Sequence, residues 1–499
     1  MSGTGSNTLD TGIQQPPYQT MGFIIHLLTG ICVATGALAG SYQPKFRVSP
    51  IDGSTIALPT KEQLALQDKE IGVLIHYEIA TYLDIDGCNE VPDLVPDISL
   101  FDPTSINTDG WMDSAAALGA KYATLVAKHN CGFAIWPSEV TFQDRENQTV
   151  PYNYTIAQSP VHGQNIVKSF VDSAKKYNIG HGFYYSVVVN NYLNVQDSDV
   201  RAGTWAPGQV NITNGTYDQI VYDQLSELWK SYGSLTEIWF DGGYSSDQKD
   251  KIETLLQESQ PQAVIFNGCD TDGICVSANP VRWIGTELGE APEENWSTGL
   301  TNDGGDHTSP YFCPAECDTT LQTDDRWFFG VDQPLRSLEE MIVVYHKTVG
   351  RNCILELDLS PDRSGAISKE HAVRYKELGD FINSCYGKPI TGEAVHSSNE
   401  NGEYTIKLYK PTRIDRIVLM EDQTNGQVIR SYQVHAKILE DQDTNSAADV
   451  PFKLLSNGTS IGHKKIDIFD KAVLATEVLV KTKYVDIPRW KSVSLHLCD

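Results

Sequence analysis

Short apolar runs alternate with amphipathic stretches from about residue 65 to residue 385, and this alternation constrains the fold more than any other feature. The runs are six to nine residues long and largely apolar on both faces, as buried parallel strands are. They span residues 71–77, 121–128, 179–186, 235–242, 263–268, 281–287 and 353–361. Helical patterns between them span 165–177, 217–232, 246–259, 337–349 and 368–384. The pattern therefore predicts an α/β fold.

The length of the alternating region, about 320 residues, favours a (β/α)8 TIM-like barrel with insertions over an open doubly wound sheet. No GxGxxG follows a strand, which also disfavours the open sheet. After Cys385 the apolar pattern changes to period two, which predicts an antiparallel β-sandwich domain. The predicted strands of this domain include 403–409, 416–420, 431–438 and 475–481. We therefore expect an N-terminal extension with a signal peptide over 1–40, a barrel over 41–385 and a β-sandwich over 386–499.

The N-terminal segment resembles an export signal. An apolar run over 23–39 ends in Ala37-Leu38-Ala39, a form that signal peptidase accepts, so cleavage is expected near Ala39 or Gly40. A basic region before the run is missing, so Met21 is an alternative start to Met1, and a retained anchor is an alternative to cleavage. No later run reaches about 18 apolar residues. We expect a secreted protein, or one in the lumen of the secretory or vacuolar system, with no membrane attachment after signal removal.

Glycosylation sites and cysteines are consistent with export. Six N-x-[ST] sequons begin at Asn147, Asn153, Asn211, Asn214, Asn295 and Asn457. Nine cysteines follow the signal segment, an odd number that leaves at least one unpaired within the chain. The spacings allow local disulfides between Cys269 and Cys275 and between Cys313 and Cys317, and Cys131 is the candidate free thiol. The absence of CxxC and of a nearby histidine pair disfavours zinc.

The charge of the chain excludes several classes of partner. Lys and Arg number 38 against 65 Asp and Glu, which gives a formal net charge of −27. A surface this acidic repels phosphate backbones and anionic lipid heads, so nucleic-acid binding and polybasic membrane docking are disfavoured.

Polar and titratable residues lie where the predicted strands end, which in a barrel is the face that carries chemistry. They are His76, His129, Asn130, Tyr184, Tyr185, Trp239, Asp241, Arg282 and Glu287. Asp241 and Glu287 come from different strands, and paired carboxylates with aromatic platforms suit glycosidic-bond cleavage. Structural roles remain open at this point: Asp241 as a helix N-cap, the two histidines as satisfied core residues, and Glu287 as one of a loop cluster with Glu290, Glu293 and Glu294.

Several motifs resemble the α-L-fucosidases of glycoside hydrolase family 29 over roughly residues 60–385. They are IGVLIHY (71–77), KYATLVAKHNCGFAIWPS (121–138), GFYYS (182–186), EIWFDGG (237–243), RWIGTELG (282–289) and the segment 337–365. The resemblance implies a retaining mechanism with Asp241 as the nucleophile. It places His76, His129, Trp239 and Tyr184 or Tyr185 on fucose-binding positions. Asn130 departs from the family, which has a second histidine there.

The resemblance also implies a position for the acid/base residue. WIGTELG (283–289) matches the W-[IV]-G-x-E-x-G motif of the subgroup that favours α-1,3/1,4-linked branches, including plant and fungal enzymes, and implies Glu287. The broad-specificity subgroup takes a glutamate from a later motif, so Glu316 in CPAECDTT (313–320) is the alternative.

The expected function is therefore a secreted α-L-fucosidase acting on fucosylated oligosaccharides or glycoproteins, with no metal or organic cofactor. The alternatives are a non-catalytic protein that binds fucosylated glycans, and a barrel glycosidase that acts on a different sugar. The sequence gives no prediction of oligomeric state, or of carbohydrate binding by the C-terminal domain.

Overall fold

Eight short parallel strands close into a barrel in the computed structural model, which describes residues 42–203, 205–390, 394–439 and 450–498. In chain order they are β1 (Ile71–Ile75), β2 (Tyr122–Lys128), β3 (Gly180–Tyr185), β4 (Glu237–Trp239), β5 (Val264–Phe266), β6 (Pro280–Trp283), β7 (Ala315–Thr319) and β8 (Cys353–Leu359). Each strand pairs with the next one, and β8 pairs with β1. The predicted TIM-like barrel is confirmed.

The interior of the barrel is filled by side chains. β1 and β2 are buried along their whole length, as their apolar runs predicted. Gly72 in β1 is required there, because a Cβ at this position would lie 2.3 Å from the Tyr122 ring. The missing side chain therefore leaves room for Tyr122 from the neighbouring strand.

β7 is the barrel strand that the apolar pattern did not reveal. Its sequence, AECDT, places two acidic residues within five positions, yet all five residues are buried. Glu316 and Asp318 lie two residues apart and so share one face of the strand. A strand whose buried face carries carboxyl groups has no apolar run, so hydrophobic patterning could not detect it.

Eight α-helices accompany the strands within the described residues. They are α1 (Lys61–Gln67), α2 (Ala80–Leu83), α3 (Thr108–Leu118), α4 (Ile166–Lys176), α5 (Asn214–Ser231), α6 (Ser246–Ser259), α7 (Leu338–Lys347) and α8 (Lys369–Tyr386). All five predicted helices are present. The described connections from β5 to β6 and from β6 to β7 contain no α-helix. Gln63 of α1 donates to the carbonyl oxygens of Pro280 and Phe312, both at 2.8 Å, and so attaches this helix to the barrel.

An antiparallel sheet follows the barrel. Its strands are β9 (Ala394–Ser398), β10 (Glu403–Glu421), β11 (Ile429–Ile438), β12 (Phe452–Gly458), β13 (Lys465–Tyr484) and β14 (Trp490–His496). The order is β9-β10-β13-β11-β12, with β14 on the second half of β10. Shifts of register interrupt the pairing of β10 with β13, so the predicted strands 403–409 and 416–420 are two parts of β10. The sheet has its own core, which includes Ile406, Ile417, Leu419, Val434 and Val478. The predicted fold class is confirmed.

Residues 41–499 group into one compact unit, so the division into two domains at residue 385 stays a prediction. The predicted signal peptide lies outside the described residues. None of the described helices has the length and hydropathy needed to cross a membrane.

The cysteine predictions are partly corrected. Disulfides join Cys88 to Cys131, Cys269 to Cys275, Cys317 to Cys353, and Cys385 to Cys498. The bond between Cys269 and Cys275 agrees with its spacing. Cys131 is not the free thiol. Among the described cysteines that thiol is Cys313, which is buried. Cys313 does not pair with Cys317, because Cys317 lies in β7 and forms its disulfide with Cys353 of the neighbouring strand β8.

Five of the six sequon asparagines are exposed, and Asn295 is the exception. Asn295 is fully buried, and its amide donates to the carbonyl oxygens of Arg351 and Asn352. The folded structure therefore does not present this sequon for glycosylation.

Candidate active site

The carboxyl ends of the barrel strands surround a cavity of about 470 Å³. Seven of the ten residues that the sequence singled out line it: His76, His129, Asn130, Tyr184, Trp239, Asp241 and Glu287. Tyr185, Arg282 and Glu316 do not. The sequence analysis had not assigned a role to several other lining residues, which include Asp86, Phe266, Asn267, Trp283, Asp318 and Trp327.

Asp241 lies two residues beyond β4, before a turn in which Gly242 and Gly243 have positive φ angles of 68° and 83°. The Tyr184 hydroxyl donates to Asp241 Oδ2 at 2.7 Å. Burial raises the pKa of this phenol, and the Asp241 charge raises it further, so Tyr184 remains a donor. The N-cap of the following helix is Ser245, which excludes that structural role for Asp241.

Glu287 lies in the loop after β6, four residues beyond the last strand residue, Trp283. The Trp327 indole donates to Glu287 Oε2 at 3.3 Å. Partial burial raises the pKa of Glu287, and the negative charge of Asp241 adds to the effect. Glu287 therefore keeps its proton to a higher pH than an ordinary glutamate, as a general acid needs.

The rival glutamates of this loop have structural partners outside the cavity. Glu290 forms ion pairs with Lys347 and Arg351. Glu293 pairs with Arg351 and Lys465, and Glu294 accepts from the Trp296 indole at 3.0 Å. Glu287 is the member of this cluster that lines the cavity.

Two histidines line the cavity as neutral rings. His76 Nδ1 lies 2.9 Å from Asp358 Oδ1, which leaves Nε2 as the ring nitrogen available to a ligand. Burial lowers the pKa of His76 well below its usual value, and His129 lowers it further. Burial lowers the pKa of His129 to about 4, despite the opposing charge of Asp241. Neutral imidazoles can donate to or accept from sugar hydroxyls without adding charge.

Aromatic side chains form one wall of the cavity. The rings of Trp239 and Phe266 stack at a centroid distance of 3.5 Å, and His129 stacks on Tyr184 at 5.5 Å. Asn130 also lines the cavity, but its amide is used locally. It accepts from the Cys88 backbone at 2.8 Å and donates to Asn89 Oδ1 at 2.9 Å.

Tyr185 and Arg282, both expected at the strand ends to take part in substrate binding, do not line the cavity. Successive residues of a strand face opposite sides, and the cavity is lined by their neighbours Tyr184 and Trp283. The Tyr185 hydroxyl donates instead to Gln224 of α5 at 2.6 Å. Arg282 is buried, and its Nη2 donates to Asn295 Oδ1 and to the Trp296 carbonyl oxygen. The hydrogen bonds of both residues therefore support a structural role.

Glu316 is fully buried in the barrel interior together with Glu237 and Glu356. Carboxylate oxygens of the three residues lie within 4.8 Å of one another, and among the described residues this is the group that could hold a metal ion. Burial and the repulsion between neighbouring carboxyl groups raise the pKa of Glu316 and of Glu356, which favours their protonated forms. Because Glu316 does not line the cavity, its position does not support the alternative acid/base assignment.

Of the cavity residues that the sequence analysis missed, Asp318 could have been found from the sequence and Trp327 could not. Asp318 shares a strand face with Glu316, so recognising β7 would have found it. Trp327 lies in an irregular segment and reaches the cavity through long-range contacts, including a bond from its backbone N–H to Asp86 at 3.0 Å. No local sequence pattern predicts such a contact.

Comparisons with known proteins agree with this site. The sequence profile of the family described as Alpha-L-fucosidase matches residues 80–387, more than half of the chain. Alpha-L-fucosidase 1 of Arabidopsis thaliana is 28% identical over 369 residues, which cover 70% of this chain and 65% of that protein. The chain thus spans about two-thirds of the length of this relative.

Two solved structures are also similar. A Bacteroides thetaiotaomicron protein assigned as an alpha-L-fucosidase is 27% identical, with a TM-score of 0.76, and the match covers 89% of this chain and 99% of that one. A Ruminococcus gnavus GH29 fucosidase in complex with fucose has a TM-score of 0.72. It is 20% identical, with coverage of 91% of this chain and 97% of that one, so it supports the fold alone. The chain therefore belongs to the alpha-L-fucosidase family of glycoside hydrolases, family 29.

Proposed function

We propose that the protein is an α-L-fucosidase that hydrolyses terminal α-linked fucose with retention of configuration. The observation that carries the proposal is the pairing of Asp241 and Glu287 at one aromatic-lined cavity. A hydrogen bond holds one oxygen of Asp241, and the pKa of Glu287 is raised by burial and by the Asp241 charge. Two carboxyl groups with these different environments suit the roles of nucleophile and general acid.

In the proposed first step, Asp241 attacks the anomeric carbon while Glu287 transfers its proton to the departing glycosidic oxygen. The Tyr184 hydroxyl holds Asp241 Oδ2, so Oδ1 is the oxygen that attacks. In the second step, Glu287 takes a proton from water, and that water displaces Asp241 from the sugar. The neutral rings of His76 and His129 and the face of Trp239 contact the fucosyl group.

Stereochemistry tests the retaining mechanism. Proton NMR during early turnover identifies the first anomer released, and retention predicts α-L-fucose. Initial release of the β anomer would show inversion and would exclude Asp241 as a covalent nucleophile.

We further propose that the preferred substrates carry α-1,3- or α-1,4-linked fucose on a branched glycan. The support is the position of Glu287 within WIGTELG (283–289), the motif associated with that preference. Cleavage of α-1,3/1,4-fucosylated branched oligosaccharides should exceed cleavage of an α-1,2-linked trisaccharide by at least about tenfold in kcat/KM. Equal cleavage would refute the preference, and binding without release of fucose would favour the glycan-binding alternative.

The acid/base assignment is tested by comparing Glu287→Ala with Glu316→Ala. A general acid matters most for a poor leaving group, so Glu287→Ala should strongly impair cleavage of a natural glycan. On an activated aryl fucoside, azide should restore turnover and give α-fucosyl azide. Glu316→Ala should show no azide rescue, because Glu316 is buried outside the cavity. Rescue of Glu316→Ala alone would reverse the assignment.

We also propose that the protein is secreted. Four disulfides and five exposed sequon asparagines support an oxidising, glycosylating route. Expression in a eukaryotic host and N-terminal sequencing of the protein in the medium should give a start near residue 40. Retention in the cell with an intact N-terminus would contradict secretion.

A further inference from the structure

Asp318 is a third carboxyl group of the cavity, and neither the sequence motifs nor the mechanism above assigns it a role. It lies in β7, is 5% exposed and lines the cavity. The Trp283 indole donates to its Oδ1 at 2.8 Å. A carboxyl group this buried must find compensating donors or cations, or it must keep its proton.

The groups that face Asp318 are acidic. Glu287 and Asp241 lie at the same cavity, and both oppose ionisation of Asp318. Glu316 precedes it by two residues on the same strand, and Glu356 is its register partner in β8. Arg336 donates to Thr319, the next residue of β7, whose side chain faces the opposite side of the strand. Two neutral donors, the Trp283 indole and the backbone N–H of Asp318, do not balance this surplus of negative charge.

We propose that Asp318 works as a neutral acid: its Oδ1 accepts from Trp283 while its protonated oxygen donates a hydrogen bond to a hydroxyl oxygen of the bound sugar. This inference rests on the proposed binding of a fucosyl group in the cavity. It adds a substrate-binding donor to the site and keeps a third negative charge away from Asp241 and Glu287. Burial and the charge of Glu287 raise the pKa of Asp318 to about 7, which agrees with this protonation state.

The proposal makes a specific prediction for Asp318→Asn. The amide reproduces both hydrogen bonds of the protonated acid, since its oxygen accepts from Trp283 and its nitrogen donates, but it has no proton to lose. The wild type should lose the donor as pH rises through about 7, whereas the variant should not. The ratio of kcat/KM of the variant to that of the wild type should therefore rise by about tenfold between pH 5 and pH 8.

The matched control is Asp324→Asn, which makes the same substitution at an exposed residue that does not line the cavity. Its activity ratio should stay constant over this pH range. A ratio for Asp318→Asn that is constant or falls with pH would overturn the proposal, because Asp318 would then act as a carboxylate.

A second measurement does not depend on activity. The indole N–H of Trp283 contacts Asp318, and that of Trp327 contacts Glu287, so each carboxyl has its own reporter. In protein labelled with ¹⁵N-tryptophan, the Trp283 indole resonance should shift with a midpoint near pH 7, and Asp318→Asn should abolish this shift. The Trp327 resonance should still titrate in the variant.

Failure of the neutral-acid role of Asp318 can be distinguished from failure of the proposed fucosidase function. A midpoint near pH 4 for Trp283 would refute the neutral-acid role even if the enzyme cleaves fucosides. A midpoint near 7 in a protein that cleaves no fucoside would instead leave Asp318 as a neutral acid and refute the proposed function.

Discussion

Replacing Tyr184 by phenylalanine tests whether the geometry around Asp241 serves catalysis. The change removes one hydroxyl, which donates to Asp241 Oδ2 at 2.7 Å. In the second chemical step Asp241 leaves the sugar as a carboxylate, and the hydroxyl stabilises the charge that develops on it. A hydrogen bond to a charged group contributes about 1.5–3 kcal/mol. Since about 1.4 kcal/mol corresponds to a factor of ten in rate, kcat should fall about 10- to 150-fold.

The adjacent residue provides a matched control. Tyr185→Phe removes a hydroxyl that donates at 2.6 Å to Gln224, away from the cavity. This variant should lose about 1 kcal/mol of unfolding free energy and leave kcat unchanged. Steady-state kinetics on a fucosylated oligosaccharide and urea unfolding of both variants give the comparison. The reasoning fails if Tyr184→Phe keeps kcat within twofold of wild type, or if Tyr185→Phe loses as much activity.

Three further predictions concern stability and modification. Cys498→Ser opens a disulfide that links residues 113 apart and should lower the unfolding free energy by up to about 4 kcal/mol; an unchanged urea midpoint would contradict this. The pKa of Glu356 is raised in the folded state. At a pH between its unfolded and folded pKa values, the folded state keeps a proton that the unfolded state releases, so the free energy of unfolding falls as pH rises. Glu356→Gln removes this pH-dependent loss of stability and should raise the melting temperature relative to wild type more at pH 7 than at pH 4. Equal increases at the two pH values would refute this pH dependence. Peptide mapping of protein from a eukaryotic host should find the Asn295 peptide without a glycan, because this side chain is buried; glycan there would mean that modification precedes folding of the segment.

The barrel could be predicted from sequence because seven of its eight strands are apolar runs bounded by polar residues. β7 was not predicted because its buried face carries Glu316 and Asp318. The raised pKa values of both carboxyl groups favour the protonated form, which reduces the usual penalty of burying a charge. The strand ends were also predictable, since a titratable residue after an apolar run lies at the mouth of a barrel. This argument located Asp241 and His76 correctly in the cavity.

Side-chain direction was harder to predict than strand position. Tyr184 and Tyr185 are adjacent and chemically identical, and only the register of β3 decides which one faces the cavity. Disulfide pairing was difficult for a similar reason. Cys317 and Cys353 are 36 residues apart and are brought together by the pairing of β7 with β8, which short spacings cannot reveal.

The most direct test of the account is the reaction of Asp241→Ala with an activated fucoside. Without azide, kcat should fall at least about a thousandfold relative to wild type, while the melting temperature stays close to that of the wild type. With azide, turnover should recover in part, and the product should be β-fucosyl azide, because azide then attacks the face that Asp241 occupied. Near-normal turnover without azide, or a product of the α configuration, would contradict Asp241 as the nucleophile.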